Sequence, residues 1–195
     1  MSTITLLLGG VRAGKSARAL TLASDSRNGG AVLFVATAEA LDGEMRRRID
    51  QHRRERPADW QTLESPLDLV HDIESRTAAA AAGFTTVIID CLTLWVSNIQ
   101  MTLAENDDVE KVVAARVTDL LAHCQRLSSR GETAGREPVR RWIFVSNEVG
   151  LGIVPATPMG RRYRDALGRA NQLVAAAATE VTLMVAGLEI PLKPR

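Results

Sequence analysis

Lysine is nearly absent: of the 24 basic residues only Lys15, Lys111 and Lys193 are lysine, and the rest are arginine. Together with the abundance of alanine, this reads as GC-rich codon usage rather than a functional signature. Cysteine is scarce as well. Cys91 and Cys124 form neither a CxxC pair nor a disulfide framework, which points to a reducing, cytoplasmic compartment. Aromatic residues make up 4% of the chain, and Trp60, Trp95 and Trp142 form no stacking ladder, so they are expected in the core or an interface. No apolar run reaches the roughly 18 residues that a membrane span needs. The first residues show no basic segment followed by an apolar stretch and a cleavage site. Charge of either sign is not in excess: 24 basic and 23 acidic residues leave a net charge of +1. That balance excludes an overall field for wrapping nucleic acid or gripping an anionic membrane.

What is present suits one domain spanning the chain. The 195 residues are 46% hydrophobic, enough to bury a full core and too few for two ordinary domains. Short β-compatible runs are expected at Ile4–Leu8, Ala31–Ala36, Thr86–Asp90, Arg141–Ser146 and Val181–Val185, with a short edge strand at Glu189–Leu192. Helical patterns fall at Lys15–Ser24, Asp42–Arg56, Leu67–Ala82, Cys91–Met101, Val109–Ser128 and Arg161–Ala178. Polar linkers separate them at Ser24–Gly30 and Gly131–Pro138. Continuous apolar strands alternating with helices predict a mostly parallel sheet covered on both faces, a three-layer α/β sandwich. Such sheets bind ligands at the carboxyl ends of their strands.

The residues that carry chemistry fall at that edge. Gly9-Gly10-Val11-Arg12-Ala13-Gly14-Lys15-Ser16 satisfies G-x-x-x-x-G-K-[ST] between a buried strand and a helix, the setting of a P-loop. Its glycines let backbone N–H groups curl around phosphate oxygens, and the helix N-terminus adds positive potential. Lys15 is expected at the β/γ-phosphates and the Ser16 hydroxyl on Mg²⁺. Val87-Ile88-Ile89-Asp90 has the form of a Walker B strand, whose terminal carboxylate holds Mg²⁺ directly or through water. The same carboxylate could instead cap the helix that follows, and the two roles are compatible.

His52 lies near the end of a very basic helix with Arg46, Arg47, Arg48, Arg53, Arg54 and Arg56. One reading is a solvated basic face with an incidental histidine. The other is a nucleophile: imidazole is substantially unprotonated at neutral pH and can attack phosphorus, with arginines neutralising the phosphates. His71 and His123 have no ligand-like neighbours and are expected at the surface or an interface. Asn147 to Pro155 follows a strand and carries two glycines, a composition suited to closing over a ligand. Three classes fit these residues alone: a P-loop kinase or ATPase acting on a small molecule, a guanine-nucleotide switch, and a basic-helix nucleic-acid binder. The switch is disfavoured because the chain contains no Asn-Lys dipeptide to begin a guanine-reading motif.

Taken together the segments resemble the bifunctional adenosylcobinamide kinase / adenosylcobinamide-phosphate guanylyltransferase family of cobalamin biosynthesis. The likeness is carried by Gly9 to Ser16, Ala36-Thr37-Ala38, Glu44 to Trp60 with His52-Arg53-Arg54-Glu55-Arg56-Pro57, Asp90 to Asn98, and Ser146 to Pro155 continued to Gln172. The P-loop is widely shared; the His-x-x-x-Arg-Pro segment and the Asn-Glu-Val-Gly-x-Gly-Ile-Val-Pro run are specific. The resemblance implies a RecA-like P-loop NTPase fold and two reactions. A nucleoside triphosphate, ATP or GTP, phosphorylates the aminopropanol hydroxyl of adenosylcobinamide. GMP then passes from GTP through a histidine to that phosphate, giving adenosylcobinamide-GDP and pyrophosphate. His52 matches the guanylylated histidine. Ala36, Thr37, Ala38, Arg53, Arg54, Glu55, Arg56, Glu64 and Asp90 match nucleotide-binding positions beside the P-loop, with Asp90 where some members have Glu. Mg²⁺ is the implied cofactor, the corrinoid and the triphosphate are the implied partners, and a homo-oligomer, a trimer, is the implied assembly.

Overall fold

The computed structural model describes residues 2–25, 30–40, 42–81, 83–129 and 137–193, so most of the linkers expected at Ser24–Gly30 and Gly131–Pro138 lie outside the described residues. Seven strands form one sheet: β1 (Thr3–Gly9), β2 (Val32–Ala36), β3 (Gln61–Glu64), β4 (Thr86–Asp90), β5 (Arg141–Val145), β6 (Glu180–Val185) and β7 (Leu188–Lys193). Six helices accompany them: α1 (Lys15–Ser24), α2 (Gly43–Arg54), α3 (Leu69–Ala79), α4 (Leu92–Thr102), α5 (Val109–Ser129) and α6 (Pro158–Ala177). The strand order is β3-β2-β4-β5-β1-β6-β7. Every pairing is parallel except β6 with β7.

β2, β4 and β5 are short aliphatic or aromatic runs buried almost throughout, as strands covered on both faces must be. One core gathers side chains from the sheet with α3, α4, α5 and α6, and a smaller one packs Ala19 and Ala23 of α1 against Leu7, Phe34, Ile88 and Val145. The sandwich expected from the strand–helix alternation is therefore present.

Two readings need correction, and one strand lies outside the expected set. Gln61–Glu64 is a strand, although its sequence Gln-Thr-Leu-Glu has no apolar run; pairing with β2 from Leu33 to Ala36 draws it into the sheet edge. Helix α2 stops at Arg54 rather than Arg56, because a residue before a proline is pushed out of the helical region and Pro57 follows. His123 is fully buried rather than at the surface. It lies on the inward face of α5 beside Leu120 and Cys124, with Nδ1 3.3 Å from the Glu74 carboxylate of α3 and 3.0 Å from Arg126. His71 is exposed as expected, Trp95 and Trp142 are core residues, and Trp60 packs half-buried against the smaller core.

Candidate functional site

β1 runs into the P-loop without a break. Gly9 has φ +147°, and a Cβ placed on it would meet the Met184 carbonyl oxygen of β6 at 2.4 Å, so only glycine brings the loop this close to its neighbour strand. Gly14 caps α1 at φ +95°, also in glycine's territory. The turn between β6 and β7 braces the loop from the other side, its Gly187 N–H donating to the Ala13 carbonyl at 3.1 Å. Lys15 is buried, and its Nζ donates to the Gly10 carbonyl at 2.6 Å, which folds the ammonium back into the hollow of the loop. Burial lowers its pKa, and the neighbouring Cys91 and Asp90 oppose that shift. Val11 and Arg12 form the exposed tip.

Ala36, Glu64 and Asp90 stand in one row across three adjacent strands, at their carboxyl ends. Asp90 is the focus of the site. Its half-buried carboxyl is pushed up by desolvation and drawn back by a hydrogen bond from the Ser16 hydroxyl and by the charges of His52, Arg56 and Lys15. Cys91, not Asp90, is the N-cap of α4, so the carboxylate is turned toward the P-loop serine rather than spent on the helix end. The Cys91 thiol, buried beside that carboxylate, is raised to about 11.

α2 carries His52 out over this edge. Asp42 starts the helix by accepting the Met45 N–H at 2.7 Å, and His52, Arg53 and Arg54 fill its last turn, where cations complement the helix dipole. The described side chains of α2 are exposed or half-buried, with none in the core. The His52 ring is half-exposed, with Nδ1 3.3 Å from the Glu55 carboxylate. Arg53 pairs with Glu64. Arg56 lies flat over the Phe34 ring, 3.6 Å from its centroid, and donates to Thr62 Oγ1. Its pKa is lowered by burial and held up by Asp90. Arg54 turns back toward its own helix, where its Nε donates to the Asp50 carbonyl at 3.2 Å.

The remaining sequence-predicted positions are structural supports of the edge. Thr37 is fully buried; its hydroxyl donates to the Cys91 carbonyl at 2.7 Å and accepts the Cys91 N–H at 2.8 Å, tying the end of β2 to the end of β4. Ala36 gives its carbonyl to the Ser65 N–H, and Ala38 follows half-buried. Sequence reasoning missed the braces around them. Asn98 Nδ2 donates to the carbonyls of Thr37 and Pro66, Thr93 Oγ1 accepts the Asn147 N–H, and Asn171 bonds both Ser146 and the Asn147 carbonyl. All five of these residues, Thr93, Asn98, Ser146, Asn147 and Asn171, sit inside the motif segments, so those segments are held by their own side chains. Among the described residues no group of three or more His, Cys, Asp or Glu could cage a metal. None of the described helices is long and apolar enough to cross a membrane.

The sequence model of a family described as cobinamide kinase / cobinamide phosphate guanyltransferase matches residues 5–192. A bifunctional adenosylcobalamin biosynthesis protein of Pseudomonas aeruginosa is 44% identical over 188 residues, covering 96% of each chain. One of Escherichia coli K12 is 36% identical over 200 residues, covering 96% of this chain and 98% of its own. Among solved structures, the flagellar accessory protein FlaH of Methanocaldococcus jannaschii superposes with a TM-score of 0.55 at 14% identity, over 99% of this chain and 79% of that one. An ATPase of a bacterial type III secretion system superposes with a TM-score of 0.57 at 11% identity, over 97% of this chain and 56% of that one. These two likenesses concern the fold alone, which is the RecA-like P-loop NTPase fold.

Proposed function

Because the chain belongs to the cobinamide kinase / cobinamide phosphate guanyltransferase family, we propose that His52 carries GMP between its two substrates while the P-loop serves both reactions. The protein is a bifunctional enzyme of adenosylcobalamin biosynthesis, a kinase toward cobinamide and a guanylyltransferase toward the phosphate it makes. The residue roles that follow are the reading we favour.

In the kinase step the aminopropanol hydroxyl of the corrinoid attacks the γ-phosphorus of ATP or GTP. Lys15 and the loop N–H groups stabilise the charge that builds on the transferring group, and the nucleoside diphosphate leaves. Ser16 and Asp90 would hold Mg²⁺. Both offer oxygen, they already touch one another, and Asp90 is a carboxylate whose desolvation a cation would relieve. With no protein cage around it, such an ion takes its other ligands from phosphate and water; bound there, it supplies charge neutralisation at the phosphates.

In the transferase step Glu55 retains the proton on His52 Nδ1, and Nε2 attacks the α-phosphorus of GTP. A phosphoramidate forms and pyrophosphate leaves. The phosphate of adenosylcobinamide phosphate then attacks the same phosphorus, breaks the P–N bond and returns the imidazole. Arg56, Arg53 and Glu64 line the approach, with Arg56 offering a guanidinium pre-set by Phe34. One observation carries this reading: the helix that bears His52 is fastened by Arg53 to Glu64, which stands in the same register row as Asp90 at the carboxyl edge of the sheet beside the P-loop. Enzyme incubated with α-labelled GTP and Mg²⁺, then denatured, should retain label in a bond that acid cleaves and alkali does not. His52→Asn should retain none while still phosphorylating adenosylcobinamide. Stoichiometric label on His52→Asn would end this reading. We also propose that the chain works in the cytoplasm as a homotrimer, which sedimentation of the purified protein would test.

A further inference from the structure

Five large apolar side chains crowd one stretch of surface at the reacting edge. Leu151 is 80% exposed and Ile153 96%, and Val154, Met159 and Met101 are each more than half exposed. Isolated exposed apolar residues are ordinary, but a contiguous group marks a docking surface. Contiguity is visible in the bonds beneath them. Gln100 Nε2, next to Met101, donates to the Met159 carbonyl at 3.0 Å. Gly160 packs so tightly on Pro155 that an added Cβ would meet its Cβ at 2.8 Å, and Arg161 bonds the carbonyls of Pro155 and Ala156. The end of α4, the start of α6 and the segment between them thus form one held platform.

The platform also begins at the P-loop. Glu148 N–H donates to the Gly9 carbonyl, and its carboxylate then accepts the Gly150 N–H, which sets the turn that presents Leu151. Arg161 and Arg162, bonded to the carbonyls of Pro155, Ala156 and Glu105, stand at the margin of this face, while Arg164 pairs with Asp165. We propose that this platform, from Leu151 to Met159 with Met101, is where the corrinoid macrocycle docks, an inference that rests on the substrate reading above. A corrinoid is a broad, rigid ring with apolar faces and a neutral amide fringe. It needs an apolar seat next to the triphosphate so that its hydroxyl arm alone enters the P-loop. Two methionines, whose side chains conform to an irregular face, suit such a seat. The guanidinium charges of Arg161 and Arg162, held by neutral carbonyls, suit the phosphorylated form that the second reaction accepts.

Leu151 and Ile153 are exposed, so replacing both by serine leaves the core intact. The test is equilibrium dialysis of cobinamide, followed by its own absorbance, against wild type, Leu151→Ser/Ile153→Ser and Ile153→Met. The serine variant should bind cobinamide at least about tenfold more weakly, while Ile153→Met stays within about threefold. Label retained from GTP and the sedimentation coefficient should match wild type. Unchanged cobinamide affinity in the serine variant overturns the proposal. So does a weaker affinity that comes with a changed sedimentation coefficient, because the face would then be covered by another copy of the chain. A wild type that binds no cobinamide would overturn the substrate reading and this inference together. Absence of label in wild type and variants alike, with cobinamide binding as expected, counts only against His52 and supports the platform.

Discussion

Gly9 and Gly10 are neighbours in one motif, yet the structure separates them sharply. At Gly9 a methyl group would lie 2.4 Å from a backbone carbonyl of β6 and 3.3 Å from the Ala13 side chain, at a φ of +147°. At Gly10 it would meet nothing within 4 Å. The unfavourable backbone conformation costs about 1–3 kcal/mol for any residue but glycine. Forcing the Met184 carbonyl aside adds a further ~1–3 kcal/mol, because the obstacle is a strand and not a movable side-chain end. A central sum of ~4 kcal/mol lowers the melting temperature of a chain this long by ~8–16 °C. Gly10→Ala should stay within ~1 kcal/mol of wild type. Calorimetry on the two single variants makes the comparison, with label retention from GTP as the functional readout for Gly9→Ala, expected to fall as the loop is displaced. Equal melting temperatures for the two variants would refute the claim that β6 fixes the loop's position.

Lys15→Ala removes the ammonium from the hollow of the P-loop, so both activities should fall at least ~100-fold with little change in melting temperature, as rate measurements and calorimetry on the same sample would show. Asp90 gives a prediction with two signs. Desolvation holds its carboxyl above the unfolded value, so the native chain binds the extra proton, and the stability from that source is full at low pH and lost as pH rises through the folded value. Asp90→Asn should therefore raise the melting temperature of the nucleotide-free protein at neutral pH and flatten its decline with pH, while raising the Mg²⁺ concentration needed for half-maximal activity. Thr37→Val keeps the shape but strands the Cys91 N–H, while the Cys91 carbonyl keeps the Trp95 N–H; this should cost ~1–3 kcal/mol in denaturant unfolding, with Thr37→Ser close to wild type.

The architecture was largely legible because its strands are aliphatic runs bounded by turns and its P-loop has one permitted setting. Thr86–Asp90 is bounded as the residues themselves suggest. Failures came where a neighbour, not the local sequence, decides. β3 owes its strand character to β2, and His123 owes its burial to the angle at which α5 meets α3, neither of which a four-residue polar run or a lone histidine can report. The site divides in the same way. Lys15, Ser16 and Asp90 are readable from spacing, since their roles follow from the strand–loop–helix turn that contains them. Glu64 and Thr37 are not, because one gains its place from a register row and the other from a bridge to a residue 54 positions away. Arg53 and Arg54 are neighbours in the last turn of α2, yet one pairs with Glu64 and the other bonds the Asp50 carbonyl of its own helix, a division that a run of arginines does not reveal.

The position of β1 has a consequence for how the enzyme is made. The strand that bears the P-loop lies at residues 3–9, and its two sheet partners lie at 141–145 and 180–185. A ribosome thus releases the phosphate-binding motif before either of its flanking walls. Until β6 emerges, the Gly9 approach has no Met184 to rest on, and until the turn at Gly187 follows, Ala13 lacks its brace. Contacts this distant in sequence make closure slow and leave strand edges open meanwhile. Nucleotide binding should accordingly wait for β6, and a nascent chain stalled before residue 180 is expected to carry the whole motif without the wall that positions it.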